Sequence, residues 1–354
     1  MAPKTTSPGF VLLDKVAGET SFKALFPLKR VFCTKRVGHA GTLDQRASGL
    51  IIAATGRATR LLPFVEAKEK CYSFRLHLGY ETDTLEWDGD VVYIDERRET
   101  RDERSAGLDE RRDWTALGDL SLSAHDPHGG TRDERSAGLD ERQSGADEIN
   151  RAALESVLPQ FTGDIEQVPP KYCAVKINGV RASDLVERGR DVDLKPRKIH
   201  ISSLKVLDVV TEPEPTCTGK CFATFDLICE CSKGTYIRAL CRDIGRALGT
   251  YGCVSRIRRL RIGNVTLEHA VKGESLTAAD LVPVDKVLDF PVVKMSDDQL
   301  ASIRNGNWIP WKTPIENVDS EGHVFAANSE GEVLSLCKYE TGRILAGIYL
   351  AFDE

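Results

Sequence analysis

A twelve-residue block, T-R-D-E-R-S-A-G-L-D-E-R, occurs twice without a change, at Thr100 to Arg111 and at Thr131 to Arg142. Identity that complete marks a duplication rather than two separately shaped units, and one isolated pair cannot build a solenoid, which needs several stacked repeats. The S-A-H-D-P-H-G-G linker lies between the copies, and the surrounding stretch is low in apolar residues and high in charge. Such a segment cannot bury enough surface to offset the entropy of ordering it. Residues 95–146 are therefore expected to form a disordered or loose acidic insertion. What folds must close around it. This predicts one domain discontinuous in sequence, residues 1–94 with 147–290, and a separate tail over 291–354, in keeping with the two domains that 354 residues imply.

The flanks carry regular patterns. Phe10 to Asp14, Cys71 to Gly79 and Asp88 to Ile94 read as strands, with helices around Phe22 to Val31 and Gly56 to Leu62. From Tyr72 onward, Tyr72, Phe74, Leu76 and Leu78 alternate with Ser73, Arg75 and His77, the period of a half-buried strand. Past the insertion a helix is predicted over Asp147 to Leu158, then strands at His200 to Val210 and Cys221 to Cys231. The spacing of Leu240, Ile244 and Leu248, with Gly249 as a stop, predicts a helix after Arg238. Strands and helices do not alternate as in a doubly wound sheet, so the class is α+β with a mixed, largely antiparallel sheet. In the tail a helix-like Asp297 to Arg304 precedes H-V-F-A-A, V-L-S-L-C-K-Y and R-I-L-A-G-I-Y-L, separated by turn signals, the pattern of a small β-barrel.

Chemistry concentrates between Gly38 and Gly49, in G-H-A-G-T-L-D-Q-R-A-S-G. Glycines free the backbone to turn sharply and let a ligand come close, and they hold a single carboxylate, Asp44, near His39. Because Gly-rich turns with an aspartate are common, the weight comes from the company of this loop: G-F-V-L-L-D-K (Gly9 to Lys15), K-C-Y-S-F (Lys70 to Phe74) and C-S-K-G-T-Y-I-R-A-L-C-R-D-I-G (Cys231 to Gly245). In this order the four segments resemble the TruB family of pseudouridine synthases. The likeness runs over roughly Gly9 to Asp90, Glu148 to Asp289 and, more weakly, the C-terminus.

The resemblance implies the pseudouridine synthase fold, with Asp44 as catalytic aspartate, Tyr72 stacking on the target base and Arg238 paired with the aspartate. It puts His39 near the flipped nucleotide and Lys15 in support from the first strand. The segment P-P-K-Y-C-A-V-K-I-N-G-V-R-A (Pro169 to Ala182) matches a further family block and adds Lys176 and Arg181 as substrate-binding candidates. The tail looks like a PUA-type RNA-binding domain. The activity implied is isomerisation of uridine 55 in the TΨC loop of tRNA, the T-arm being the partner. Val16 stands where the family usually has proline, Gln45 and Arg46 replace a common Pro-Leu, and Ser183 sits where tyrosine is frequent. The Asp44 loop is thus expected to be less rigid, since proline fixes φ and glutamine does not.

The residues suit that chemistry. Uridine isomerisation breaks an N-glycosidic bond, rotates the base and rejoins it through carbon, so neither cofactor nor metal is expected. An ionised carboxylate serves as nucleophile or base, and a neighbouring arginine with its planar fork keeps it ionised. Attack on the sugar, attack on the pyrimidine and proton removal from the sugar all stay open. Tyr72 reads either as the first apolar residue of its strand or as a stacking platform, a contact worth about 1–3 kcal/mol per base. His39 reads as a brace for the gap left by an extruded nucleotide or as a hydrogen-bonding residue of the loop.

A net charge of −6 sits awkwardly with RNA, whose phosphates call for a basic footprint. Between Asp95 and Glu148, however, sixteen acidic residues face nine arginines and no lysine, so that segment holds −7 and the rest of the chain is +1. The densest basic run outside it is R-I-R-R-L-R, from which Arg258 and Arg259 are expected to meet RNA phosphate. An insertion that orders on RNA binding is the rival reading, and its negative charge argues against it. Ten cysteines include no C-x-x-C pair, and Cys229 and Cys231 fall on one side of a strand, so they read as small buried hydrophobes and not as metal ligands. No apolar run reaches bilayer length and M-A-P-K-T-T-S-P does not read as a signal peptide, so a cytoplasmic monomer is expected. Two alternatives accompany the leading reading: a catalytically weak tRNA-folding chaperone, and a guide-dependent Cbf5- or dyskerin-like subunit. The short tail without long basic extensions disfavours the second.

Overall fold

The computed structural model describes residues 8–96, 149–210, 221 and 223–350, so the repeats lie outside the described residues. The first part of the chain supplies strands β1 (Phe10–Lys15), β2 (Val37–His39), β3 (Ser48–Thr55) and β4 (Lys70–Leu78), then the hairpin β5 (Tyr80–Thr82) and β6 (Val91–Ile94). Helices α1 (Phe26–Val31) and α2 (Leu62–Ala67) lie between them. The second part runs α3 (Arg151–Val157), β7 (Gly163–Gln167), the hairpin β8 (Lys176–Ile177) and β9 (Val180–Arg181), and α4 (Ala182–Glu187). It continues through β10 (Arg197–Val209), β11 (Ala223–Cys231), α5 (Ile237–Ala247), β12 (Gly252–Ile262) and β13 (Val265–Thr266). The predicted helix near Asp147 begins only at Arg151, because the Asn150 side chain accepts from the Ala153 amide and fixes the N-cap there.

One nine-stranded sheet spans both parts, in the order β1-β3-β12-β4-β11-β10-β7, with β2 beside β3 and β13 beside β12. Only the β3–β12 pair is parallel, so the sheet is mixed and largely antiparallel, as expected. Successive side chains of a strand face opposite sides. Leu13 and Ile51 therefore enter a core with Phe74, Leu227 and Ile244, while Leu12 and Ile52 enter a second core with Val65 and Ile262. Each fully buried side chain of this size contributes about 1.5–3 kcal/mol.

Two strands of this sheet were not legible. Strand β3 is a continuous apolar run buried on both faces, with Leu50 through Ala54 fully covered, and shows no alternation. Strand β12 was disguised by its arginines. The expectation that Arg258 and Arg259 meet RNA phosphate is corrected here: they lie in mid-sheet, 9% and 1% exposed, and their guanidinium groups bond to partners inside the protein.

The tail contributes β14 (Val292–Lys294), α6 (Asp297–Arg304), β15 (Ile309–Pro310), β16 (His323–Ala327), β17 (Val333–Glu340) and β18 (Arg343–Tyr349). They form a five-stranded sheet in the order β14-β16-β17-β18-β15. Phe325, Leu336 and Leu350 join the second core, so the tail packs on the back of the large sheet.

Candidate active site

The Asp44 loop joins β2 to β3 and is pinned from two directions. From below, the buried Lys15 at the end of β1 donates to the carbonyls of Gln45 (3.0 Å) and Ala47 (2.5 Å). From the side, the Ser21 hydroxyl donates to Leu43 O and accepts from Leu43 N, both at 2.9 Å, and the Gly18 amide donates to Gln45 O at 2.8 Å. At Gly49 φ is +100° and an added Cβ would fall onto the Arg259 backbone, so only glycine lets β12 pass there. Burial lowers Lys15 to about 8, below its usual 10.5, and the three carbonyls around its ammonium hold it in place.

Arg238 meets this loop from the opposite side. It is the second residue of α5, at the strand-to-helix junction that its sequence context predicts, with extended Tyr236 as N-cap. Gln167 clamps that junction by accepting from Tyr236 N at 2.9 Å and donating to Tyr236 O at 3.2 Å. The Arg238 fork donates to both oxygens of Asp44, Nε to Oδ2 at 2.8 Å and Nη2 to Oδ1 at 3.1 Å. Its remaining donors reach Thr84 O at 3.1 Å and Tyr172 O at 2.9 Å. Three separate stretches of chain thus converge on one guanidinium that is 5% exposed, while Asp44 keeps 38% of its side chain open to solvent.

Arg259 lies underneath. It donates to Leu50 O at 2.7 Å and Gly41 O at 3.2 Å, and its charge acts on the Tyr72 hydroxyl. Tyr72 is on β4, opposite Arg259 on one side and Cys229 on the other. Burial pushes its phenol above the usual range, against the pull of the Arg259 charge. His39 ends β2, half-buried, with Nδ1 unpartnered; burial and the Arg259 charge hold it below its usual 6.5, so the ring is neutral at pH 7. Arg258 forks onto Asp14 at 3.1 and 2.9 Å and ties β12 to β1 across β3.

The structure therefore gathers Asp44, Arg238, Lys15, Tyr72, His39 and Arg259 around one loop, while Arg258 acts as an internal tie. Lys176 and Arg181 stand apart: they face each other across the β8–β9 hairpin, both exposed, on a segment tethered to the site through Tyr172. Sequence reasoning missed Glu86, whose carboxylate lies 4.0 Å from Arg238 Nε and is 17% exposed. Burial first and the Asp44 charge next push Glu86 upward, against the Arg238 charge. In D-T-L-E-W-D-G nothing separates it from its acidic neighbours; only its place beside Arg238 does. Tyr236 was also passed over, although it stands two residues before Arg238 in T-Y-I-R. Arg46, in place of the family's leucine, reaches Asp88 and, at 3.6 Å, Glu86. Beside this group a cavity of about 290 Å³ is lined by Gly18, Arg46, Ala47, Glu86, Trp87 and Ile257 among others. Among the described residues no group of three His, Cys, Asp or Glu is placed to hold a metal ion.

Comparison with known proteins bears on the family. The family model described as "TruB family pseudouridylate synthase (N terminal domain)" matches residues 29–110 and 128–237, and "tRNA pseudouridylate synthase B C-terminal domain" matches residues 238–289. The protein named tRNA pseudouridine synthase B in Bifidobacterium longum (strain DJO10A) is 39% identical over 281 residues, which cover 76% of this chain and 66% of that protein. Its namesake in Corynebacterium glutamicum (strain R) is 31% identical over 354 residues, 99% of this chain and 97% of that one. Among solved structures, a Cbf5-Nop10-Gar1 complex aligns with a TM-score of 0.58 at 19% identity, over 98% of this chain and 84% of its counterpart, a likeness of fold. The alignment in sequence and the site built around Asp44 lead to one conclusion: this chain belongs to the TruB family of pseudouridylate synthases.

Proposed function

We propose that this protein isomerises uridine to pseudouridine in tRNA, at position 55 of the TΨC loop, with Asp44 as the catalytic carboxylate. The observation that carries the reading is the two-pronged Arg238–Asp44 pair, a carboxylate held in a fixed direction and left partly open to solvent. A uridine inside a folded T-loop must leave its stack before Asp44 can reach it. Tyr72 then offers a ring for the extruded base, and neutral His39 stands ready to brace the gap. The Arg238 fork holds Asp44 in one direction as nucleophile or base. Glu86, shifted toward its protonated form, is placed to exchange a proton with the rotating base. Lys176 and Arg181 supply charge toward the RNA backbone, and the tail sheet serves as an accessory RNA contact. The enzyme acts as a cytoplasmic monomer.

The test uses unmodified tRNA transcript labelled with tritium at uracil C5, because joining C5 to the sugar displaces the hydrogen there. Wild-type protein alone should release tritium, and Asp44→Ala should release none while still binding tRNA. Binding without release by the wild type would favour the folding-chaperone reading, and release only with added RNA guides would favour the Cbf5-like one.

A further inference from the structure

The helical segment that follows Ser21 carries an aromatic pair on the wrong side for packing. Its inner face is secured by Ala24, Leu25, Leu28 and Phe32, all buried in the main core. Phe22 and Phe26 point outward, 61% and 49% exposed, and play no part in that core. Their rings meet edge to face with centroids 5.5 Å apart, and Lys29 Nζ lies 4.8 and 5.2 Å from the two centroids. Spacings of four and three residues put all three side chains on one helical stripe. Exposed large aromatics are the informative exception on a soluble surface, and these stand in a conspicuous charge setting. From Thr20 to Val37 the chain has five cations, Lys23, Lys29, Arg30, Lys35 and Arg36, and no carboxylate. Their position relative to Asp44 is fixed as well: Ser21, next to Phe22, is held by both backbone groups of Leu43, next to Asp44.

We propose that this stripe is a second RNA contact, on which Phe22 and Phe26 stack an unpaired base of the substrate beside the nucleotide being modified. The proposal rests on the reading of Asp44 as the catalytic group of a pseudouridine synthase. Aromatic faces take up bases of any identity while cations follow the phosphates, and an aromatic pair in a segment with five cations has that combination. Lys29, close to both rings, fills the place of the phosphate contact nearest the stacked base.

Fluorescence anisotropy with an unmodified tRNA transcript and with an isolated T-arm stem-loop tests this. Phe22→Ala/Phe26→Ala should weaken binding of both RNAs by about 5- to 100-fold, leaving the single-turnover tritium-release rate at saturating RNA within about twofold. Phe22→Tyr/Phe26→Tyr should bind like wild type. Stem-loops with one loop nucleotide at a time made abasic locate the stacked base: at that position the wild type loses the same factor and the double alanine variant loses nothing further. Unchanged affinity of the double alanine variant overturns the proposal and leaves the stripe to a protein partner. Loss of affinity in the tyrosine variant, or a loss that no abasic site reproduces, overturns base stacking. Absence of tritium release from wild type would instead remove the Asp44 reading, and binding would report that separately.

Discussion

Replacing Arg238 by lysine keeps a positive charge beside Asp44 and removes the fork that aims it. Arg238 makes four hydrogen bonds, two to Asp44 and one each to Thr84 O and Tyr172 O. A single ammonium on a flexible stem cannot span both carboxylate oxygens and both carbonyls. Leaving the two part-buried carbonyls without donors costs about 1–2 kcal/mol each, the lower part of the range for a buried group. The loss at Asp44 is smaller, because its side chain is 38% exposed and water takes over part of the bonding. Together Arg238→Lys should lower stability by about 2–4 kcal/mol. The catalytic effect is larger: a carboxylate released from its two-point hold drifts from the reacting atom, and misplacement by about 1 Å costs on the order of 100-fold in rate. Urea unfolding measures the first quantity and single-turnover tritium release, at a temperature where both proteins are folded, the second. A rate within about threefold of wild type would refute the claim that the fork aims Asp44. Equal rates for Arg238→Lys and Arg238→Met would refute the claim that the charge matters.

Three further expectations follow from buried groups. His77 is fully buried, with Nε2 2.7 Å from Ser255 Oγ, and burial with the Arg75 and Arg256 charges lowers it from 6.5 to about 3. Its folded pKa is depressed, so the unfolded chain takes up a proton first and stability falls from pH 6.5 toward pH 3, by up to about 5 kcal/mol; His77→Gln should flatten that acid limb, and an unchanged limb would sink the assignment. Lys15 and Lys70 are both lowered to about 8 by burial, so each raises stability as pH climbs from 8 toward 10.5, while Cys71, raised to about 11, opposes the rise above pH 9. Lys15→Met should remove its share of the increase and, by freeing Gln45 O and Ala47 O, slow tritium release at least about tenfold; alkaline melts indistinguishable from wild type would contradict this. Gly49→Ala forces a Cβ onto the Arg259 backbone at φ +100° and should cost about 2–5 kcal/mol, and a thermal midpoint within about 2 °C of wild type would show that the strands part easily.

What could be read in advance followed the period of the side chains. Strand β4 alternates and was legible as a strand, but it is not half-buried, since Ser73, Arg75 and His77 on its polar face are buried too; β3 is apolar on both faces and gives no period to detect. The Asp44 loop and Arg238 stood out because glycine, carboxylate and T-Y-I-R have recognisable company. Arg258 and Arg259 were misplaced for a physical reason: arginine is normally a surface residue, and only a carboxylate on β1 and carbonyls in the Asp44 loop and β3 make it tenable in mid-sheet. Glu86 was hidden among acids, since burial beside Arg238 depends on residues about 150 positions apart in the chain. Tertiary placement, not local pattern, decides such residues.

Strand β12 also dictates how the protein can come into being. Its residues, 252–262, separate β3 from β4, two strands made one after the other some two hundred positions earlier. Until that late segment leaves the ribosome, the early strands present two open borders with nothing to zip them, a state that invites mispairing. The keystone arrives almost last, and it brings Arg259 with it, so sheet closure and the floor beneath Asp44 are a single event. A nascent chain stalled before residue 252 would therefore be neither a smaller enzyme nor a stable half, but an unfinished sheet in need of a chaperone.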